Sequence, residues 1–135
     1  PQPTGRVAFN GLPEDWDNMH EAMRRVVHGN GTATQLRYNM KGYEMAAKTG
    51  TAQVKGIKQN EKYDESKMDA RHLDHAWFMG FAPVINPTIA VAVLVENGKH
   101  GSTTAGPIAK ALFDYEVMGI EAPAPVIADS EVVDE

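Results

Sequence analysis

Cysteine is absent from all 135 residues, which excludes both a disulfide framework and a cysteine-ligated metal site. The sequence also lacks a signal peptide and any apolar run long enough to cross a bilayer. Its first residue is Pro1 rather than methionine, so we expect a fragment of a longer protein. Any membrane anchor of that protein would then lie elsewhere.

Excess positive charge is missing as well. Of the 18 acidic residues, five lie in residues 121–135, which contain no lysine or arginine. The other 13 balance the 13 basic residues, so there is no basic stripe for nucleic acid. We expect residues 1–120 to belong to one domain, with residues 1–12 as a Pro/Gly-rich loop. Residues 121–135 are predicted to be an acidic, disordered tail.

Helical patterns flank the middle of the chain. Pro13 opens a helix that ends at Gly29, with an apolar face formed by Trp16, Met19, Met23, Val26 and Val27. A short helix is predicted to start within residues 32–36. A last helix follows Pro107 and ends at Gly119, with a predicted apolar face of Ile108, Leu112, Tyr115 and Met118.

Three strands are predicted between these helices, at residues 42–54, 75–82 and 88–96. The second and third are close enough for a hairpin. The third is an unbroken β-forming apolar run, which favours burial on both faces. Helices around strands that include a hairpin indicate an α+β fold with antiparallel sheet strands flanked by helices.

A long, charged insertion separates the first two strands, at residues 55–74, with a possible short helix over residues 63–72. We expect it to be more mobile than the strands and to overhang the nearby site. His72 and His75 with Asp69 and Asp74 raise the question of a metal. In so charged a loop we interpret them as solvated residues and predict no metal site and no cofactor.

The run Lys48-Thr49-Gly50-Thr51-Ala52 carries the chemistry. Thr49 and Thr51 lie two apart, so their hydroxyls point to one face of a strand. With the Lys48 ammonium they form a receptor for a carboxylate. Gly50 lacks a Cβ, so we expect another backbone to approach closely there, and a backbone N–H such as that of Thr51 to face a developing oxyanion.

Together with two later runs, Asp74-His75-Ala76-Trp77-Phe78-Met79-Gly80-Phe81-Ala82-Pro83 and Ile89 to Gly98, this motif resembles the C-terminal part of the transpeptidase domain of class B penicillin-binding proteins. Gln53-Val54 and Asn60-Glu61-x-Tyr63 favour the elongation-specific subgroup over the division-specific one. The resemblance covers roughly residues 13–119. It implies the penicillin-binding-protein/β-lactamase-like fold.

The resemblance implies a serine acyl-enzyme that cross-links peptidoglycan stem peptides and is acylated by β-lactam antibiotics. It implies that Lys48, Thr49, Gly50, Thr51 and Ala52 bind substrate, that Lys48 tunes proton transfer, and that the Thr51 N–H is an oxyanion donor. Other implied partners are the upstream part of the same domain and elongation-complex membrane proteins such as a glycosyltransferase. The implied location is the periplasmic face of the inner membrane.

The family's other two motifs, Ser-x-x-Lys and Ser-x-Asn, occur nowhere in the sequence. We therefore expect this chain alone to be inactive. Two other functions stay open at this point. One is a D,D-carboxypeptidase or β-lactamase, which would release a β-lactam adduct where a transpeptidase stays acylated. The other is a non-catalytic β-lactam sensor domain.

Overall fold

The computed structural model describes residues 11–54 and 69–121, which form three antiparallel strands and two α-helices. In chain order these are α1 (Pro13–His28), β1 (Ala46–Ala52), β2 (His75–Ala82), β3 (Ile89–Val95) and α2 (Gly106–Met118). The α+β prediction is confirmed. The predicted N-terminal loop, most of the charged insertion and the acidic tail lie outside the described residues.

Helix α1 begins and ends where the sequence predicts. The backbone N–H of Leu12 donates to the Asp15 carboxylate at 3.1 Å, so the first turn is capped from within the helix. Glu14 and Asp15 favour the positive end of the helix dipole, and Gly29 follows the last helical residue. The short helix predicted after it is a 3₁₀ turn, Thr34–Asn39.

Strand β2 lies in the middle of the sheet and sets the length of its neighbours. It pairs from Ala46 opposite Phe81 to Ala52 opposite His75 on one side, and with all of β3 on the other. The first strand is therefore shorter than predicted, because only the residues facing β2 have a hydrogen-bonding partner. The second strand matches its prediction, and the third is one residue shorter at each end.

One face of the sheet is buried, and the other is open except at the end where Ala46 pairs with Phe81. There Ala46 is fully buried, and the His20 ring of α1 lies 5.0 Å from the Phe81 ring. Ala76, Phe78 and Ala82 are fully buried and pack with Phe113 of α2 and Leu36 of the 3₁₀ turn. The open face is formed by alternate residues of β2 and β3: Trp77, Met79, Phe81, Ala90, Ala92 and Leu94. Leu94 is 45% exposed, so within the described residues β3 is covered on one face only; burial on both faces stays a prediction for the full-length protein.

Helix α2 packs through a different face from the one predicted. Ile108, Leu112, Tyr115 and Met118 are all substantially exposed, whereas Gly106, Ala109 and Phe113 are buried. Small residues at positions 106 and 109 let the helix approach Phe78 and Leu36 closely, and Phe113 then fills the core. Neither described helix has the length and apolar character needed to cross a bilayer.

Candidate active site

Strand β1 forms an edge of the described sheet, and a cleft of about 620 Å³ lies beside it. Four consecutive β1 residues, Lys48 to Thr51, line this cleft. The remaining lining comes from Thr32 and from residues 100–103. The cleft is rich in hydroxyl groups, in contrast to the apolar core on which the strand rests.

The two threonines of β1 share a face of the sheet. Thr49 lies opposite Phe78 and Thr51 opposite Ala76, and both β2 residues belong to the buried face. Thr49 is half-buried and Thr51 exposed, as expected for side chains at the rim of a packed face. The Lys48 ammonium donates to the backbone carbonyl of Thr49, which holds the charge next to the cleft. The cleft is thus bordered by one lysine, bonded to the strand backbone, and by two threonines that share a face of the strand.

Ala52 differs from the other predicted site residues. It lies at the end of β1 opposite His75 and does not line the cleft. The structure thus brings four of the five predicted residues together. Their role in binding and catalysis stays a prediction at this point.

The glycine that accepts a close backbone approach is Gly101, not Gly50 as predicted. A Cβ on Gly101 would lie 2.0 Å from the carbonyl oxygen of Trp77 and 2.9 Å from that of Gly50. A Cβ on Gly50 would instead meet the Trp77 side chain at 3.2 Å. The π-helical turn Gly101–Ala105 therefore rests directly on the backbones of β1 and β2. This contact positions residues 101–103 as a wall of the cleft.

Thr32 forms the remaining wall and touches the motif directly. Its Oγ1 lies 2.7 Å from the Oγ1 of Thr49. The turn that carries Thr32 is tied to α1, since the N–H of Ala33 donates to the Val26 carbonyl at 3.0 Å. The Thr34 hydroxyl donates to the carbonyls of Gly29 and Gly31, which closes the turn.

An ionic network fixes the chain as it enters β1. Arg24 donates two hydrogen bonds to the Glu44 carboxylate, at 2.6 and 2.8 Å. The Arg24 guanidinium holds the pKa of Glu44 below its usual value. His28 lies 3.8 Å from the same carboxylate, but burial outweighs that attraction and lowers the pKa of His28. Helix α1 is thereby linked to the residue two positions before the strand.

Of the two histidines considered as metal ligands, His75 is engaged in a hydrogen bond with the backbone. The Nδ1 of His75 accepts from the N–H of Asn97 at 3.0 Å, and the Asn97 side chain donates to the carbonyls of Arg71 and Leu73. Asp69 accepts from the backbone of Arg71, which lowers the pKa of Asp69. Within residues 11–54 and 69–121, no three His, Asp or Glu side chains converge as metal ligands do.

Sequence reasoning missed Thr32 and residues 100–103 as parts of the site. The run Gly101-Ser102-Thr103-Thr104 was visible as a hydroxyl-rich stretch, but its spacing matches no phosphate loop. A glycine followed by small hydroxyl residues just before a helix was the available signal. Nothing local in the sequence pairs Thr32 with Thr49, because 17 positions separate them.

Residues 4–114 match the family described as the penicillin binding protein transpeptidase domain. The match includes the whole cleft and most of α2. The chain therefore belongs to the penicillin-binding protein transpeptidase family.

Named relatives agree with this assignment. The chain is 49% identical over 113 residues to the peptidoglycan D,D-transpeptidase MrdA of Acinetobacter baumannii, an alignment that covers 84% of this chain and 16% of that protein. It is 36% identical over 122 residues to MrdA of Escherichia coli, covering 86% of this chain and 19% of the other. The chain thus spans less than a fifth of the length of these relatives.

Solved structures show the same relationship. The crystal structure of Pseudomonas aeruginosa PBP2 in complex with WCK 5153 superimposes with a TM-score of 0.66 at 39% identity, covering 87% of this chain and 23% of that one. The complex of PBP2 and MreC from Helicobacter pylori gives a TM-score of 0.60 at 31% identity, covering 79% and 18%. The resemblance to class B enzymes, and within them to penicillin-binding protein 2, is confirmed.

Proposed function

We propose that the residues lining the cleft beside β1 form the carboxylate-binding side of the active site of a peptidoglycan D,D-transpeptidase. This enzyme would cross-link the cell wall during elongation. The observation that carries this is that Lys48, Thr49 and Thr51 together line one cleft at a sheet edge. Such an edge can pair with an extended peptide, while the cation and hydroxyls hold its terminal carboxylate. The names of the relatives support the same activity.

In the proposed reaction a serine hydroxyl attacks the peptide carbonyl of a D-Ala-D-Ala stem peptide. The C–N bond breaks, the serine proton passes to the leaving amine, and D-alanine departs. The amine of a second stem peptide then attacks the acyl ester, the C–O bond to the serine breaks, and a proton from that amine returns to the serine oxygen. The Thr51 N–H would stabilise the oxyanion of each tetrahedral intermediate.

The serine has to come from sequence beyond these 135 residues, since Ser-x-x-Lys and Ser-x-Asn are absent from them. The upstream part of the same domain is the proposed source. Lys48 then serves as a fixed charge that favours proton transfer and orients the carboxylate. The chain spans only 16% of the Acinetobacter baumannii relative, which is consistent with a nucleophile supplied by another part of the protein.

The proposed ligands and partners follow from the family. β-Lactam antibiotics would acylate the same serine. A ceftriaxone acyl-enzyme complex of penicillin-binding protein A from Mycobacterium tuberculosis supports acylation by β-lactams. A partner protein is supported by the complex of Helicobacter pylori PBP2 with MreC. We propose that the partners of this protein are membrane proteins of the elongation complex. We further propose a glycosyltransferase partner and a location at the periplasmic face of the inner membrane, with an anchor helix outside this chain.

The test uses the full-length protein that carries these residues. A labelled penicillin should form a stable covalent adduct, and a pair of stem peptides should yield a cross-linked product with release of D-alanine. Rapid loss of the adduct with β-lactam turnover would indicate a hydrolase instead. Adduct formation without any reaction of stem peptides would indicate a sensor domain.

A further inference from the structure

The geometry points to Thr32 as a positioning residue that orients the Thr49 hydroxyl toward the substrate carboxylate. The two Oγ1 atoms are 2.7 Å apart, and either hydroxyl can be the donor of that bond. This inference rests on the proposed function, because it assumes that a carboxylate occupies the cleft. Thr32 itself need not touch the substrate.

The direction of the hydrogen bond follows from the chemistry of the ligand. An ionised carboxylate only accepts hydrogen bonds, and a threonine hydroxyl has a single proton to donate. If Thr49 donates to the carboxylate, its oxygen must accept from Thr32. Binding of a carboxylate therefore selects one of the two arrangements of the pair. A hydroxyl that accepts one hydrogen bond is also a stronger donor in the next.

The turn that carries Thr32 is built to hold it still. A Cβ on Gly31 would lie 2.3 Å from the Cα of Val26, so the turn packs against α1 at a distance only glycine permits. Ala33 is fully buried and bonded to Val26 through its backbone. Thr32 thus stands between two anchored residues, and its hydroxyl reaches Thr49 from a fixed backbone. A preoriented donor costs less entropy on binding than a freely rotating one.

The experiment measures acylation of the full-length protein by one β-lactam in two forms, the free carboxylate and its methyl ester. Thr32→Val keeps the side-chain shape and removes the hydroxyl. We expect it to slow acylation by the carboxylate form about fivefold to tenfold, the size of one hydrogen bond, and to leave the ester rate unchanged. Thr32→Ser should restore the rate with the carboxylate form.

Two further variants test the positioning. Thr34→Val loosens the turn that holds Thr32 without removing either member of the pair, so it should slow acylation by the carboxylate form more than by the ester, and by less than Thr32→Val does. Thr88→Val makes the same substitution at an exposed position in the β2–β3 connection, away from the cleft, and should leave both acylation rates unchanged. Equal losses with both forms in Thr32→Val, or no loss with either, would overturn the inference while leaving the proposed function intact. A wild-type protein that reacts with neither form would instead overturn the proposed function.

Discussion

Thr51 and Thr49 present the same chemical group to the cleft in different settings. Thr49 is half-buried and already bonded to Thr32, whereas Thr51 is exposed at the rim. The Thr49 hydroxyl is therefore restricted to the two arrangements of its hydrogen bond with Thr32 before any ligand arrives. Thr51 gains its orientation from the ligand, so its contribution should appear mainly when a carboxylate is bound.

We expect Thr51→Val to weaken acylation of the full-length protein by carboxylate-bearing β-lactams. A hydrogen bond to a charged group contributes about 1.5–3 kcal/mol, which corresponds to roughly 10- to 100-fold in rate. The backbone N–H of residue 51 is retained, so oxyanion stabilisation should persist. Stopped-flow acylation kinetics check this. Unchanged kinetics would remove the Thr51 side chain from the site.

His28 makes the anchoring of β1 sensitive to acid. Its Nε2 is buried without a hydrogen-bond partner among the described residues, and burial lowers the pKa of His28. A folded-state pKa below the unfolded value of about 6.5 means that the neutral form stabilises the fold. That stability is present above the unfolded pKa and is lost as the pH falls through the folded one. Glu44, whose pKa is also lowered, adds a similar loss at more acidic pH.

We therefore expect the melting temperature of the full-length protein to fall as the pH drops below about 6.5. The variant His28→Gln should show a smaller fall over the same pH range. His72→Gln, at an exposed histidine, is the control and should leave the profile unchanged. Thermal unfolding measured from pH 7.5 to 5.5 checks both variants. A wild-type profile that is flat over this range would argue against a buried neutral His28.

At the scale of single elements, α2 shows what sequence patterns determine and what they leave open. Its limits follow from local signals, Pro107 near the start and Gly119 with φ +68° after the end. Its buried face does not, because apolar residues occur all around the helix. Packing against Phe78 requires small residues. Gly106 and Ala109 therefore face the core, and the larger Ile108 and Leu112 do not.

This assignment predicts very different effects for two neighbouring substitutions. Phe113 is fully buried, so Phe113→Ala should cost about 3–5 kcal/mol of stability through lost burial and the cavity it leaves. Leu112 is 44% exposed, so Leu112→Ala should cost under about 1 kcal/mol. Thermal unfolding of the two variants side by side checks the difference. Equal losses would contradict this assignment of the buried face, and a larger loss for Leu112→Ala would support the face that the sequence pattern predicted.

The strands and the site also have features that local sequence determines and features that it does not. Strand β2 was predicted to the residue because it is bounded by the Asp74 and Pro83 breaks, and the Lys-Thr-Gly-Thr motif was recognised from local order alone. The partners of that motif were not. Thr32 and Gly101 reach β1 from distant parts of the chain, and only the folded sheet brings their hydroxyl and backbone against Thr49 and Gly50.

At the scale of the whole molecule, the open face of the sheet is the feature that calls for a partner. Trp77, Met79 and Leu94 are 43%, 54% and 45% exposed on it. A groove of about 430 Å³ runs between this face and Trp16, Met19 and Met23 of α1. Contiguous apolar surface of this kind is rare on independent domains. We expect sequence outside these 135 residues, the proposed source of the nucleophile, to cover it in the full-length protein.

The isolated chain should therefore bind a hydrophobic dye or aggregate, and the full-length protein should do neither. At roughly 25 cal/mol per Å² of apolar surface, the missing cover is worth several kcal/mol, comparable to the net stability of a domain. Leu94→Lys gives a reciprocal test. It should lower dye binding by the isolated chain but destabilise the full-length protein, where a buried charge would be left unpaired. A monomeric isolated chain that ignores the dye and unfolds cooperatively would show that this face needs no cover, and that the cleft belongs to a unit complete without it.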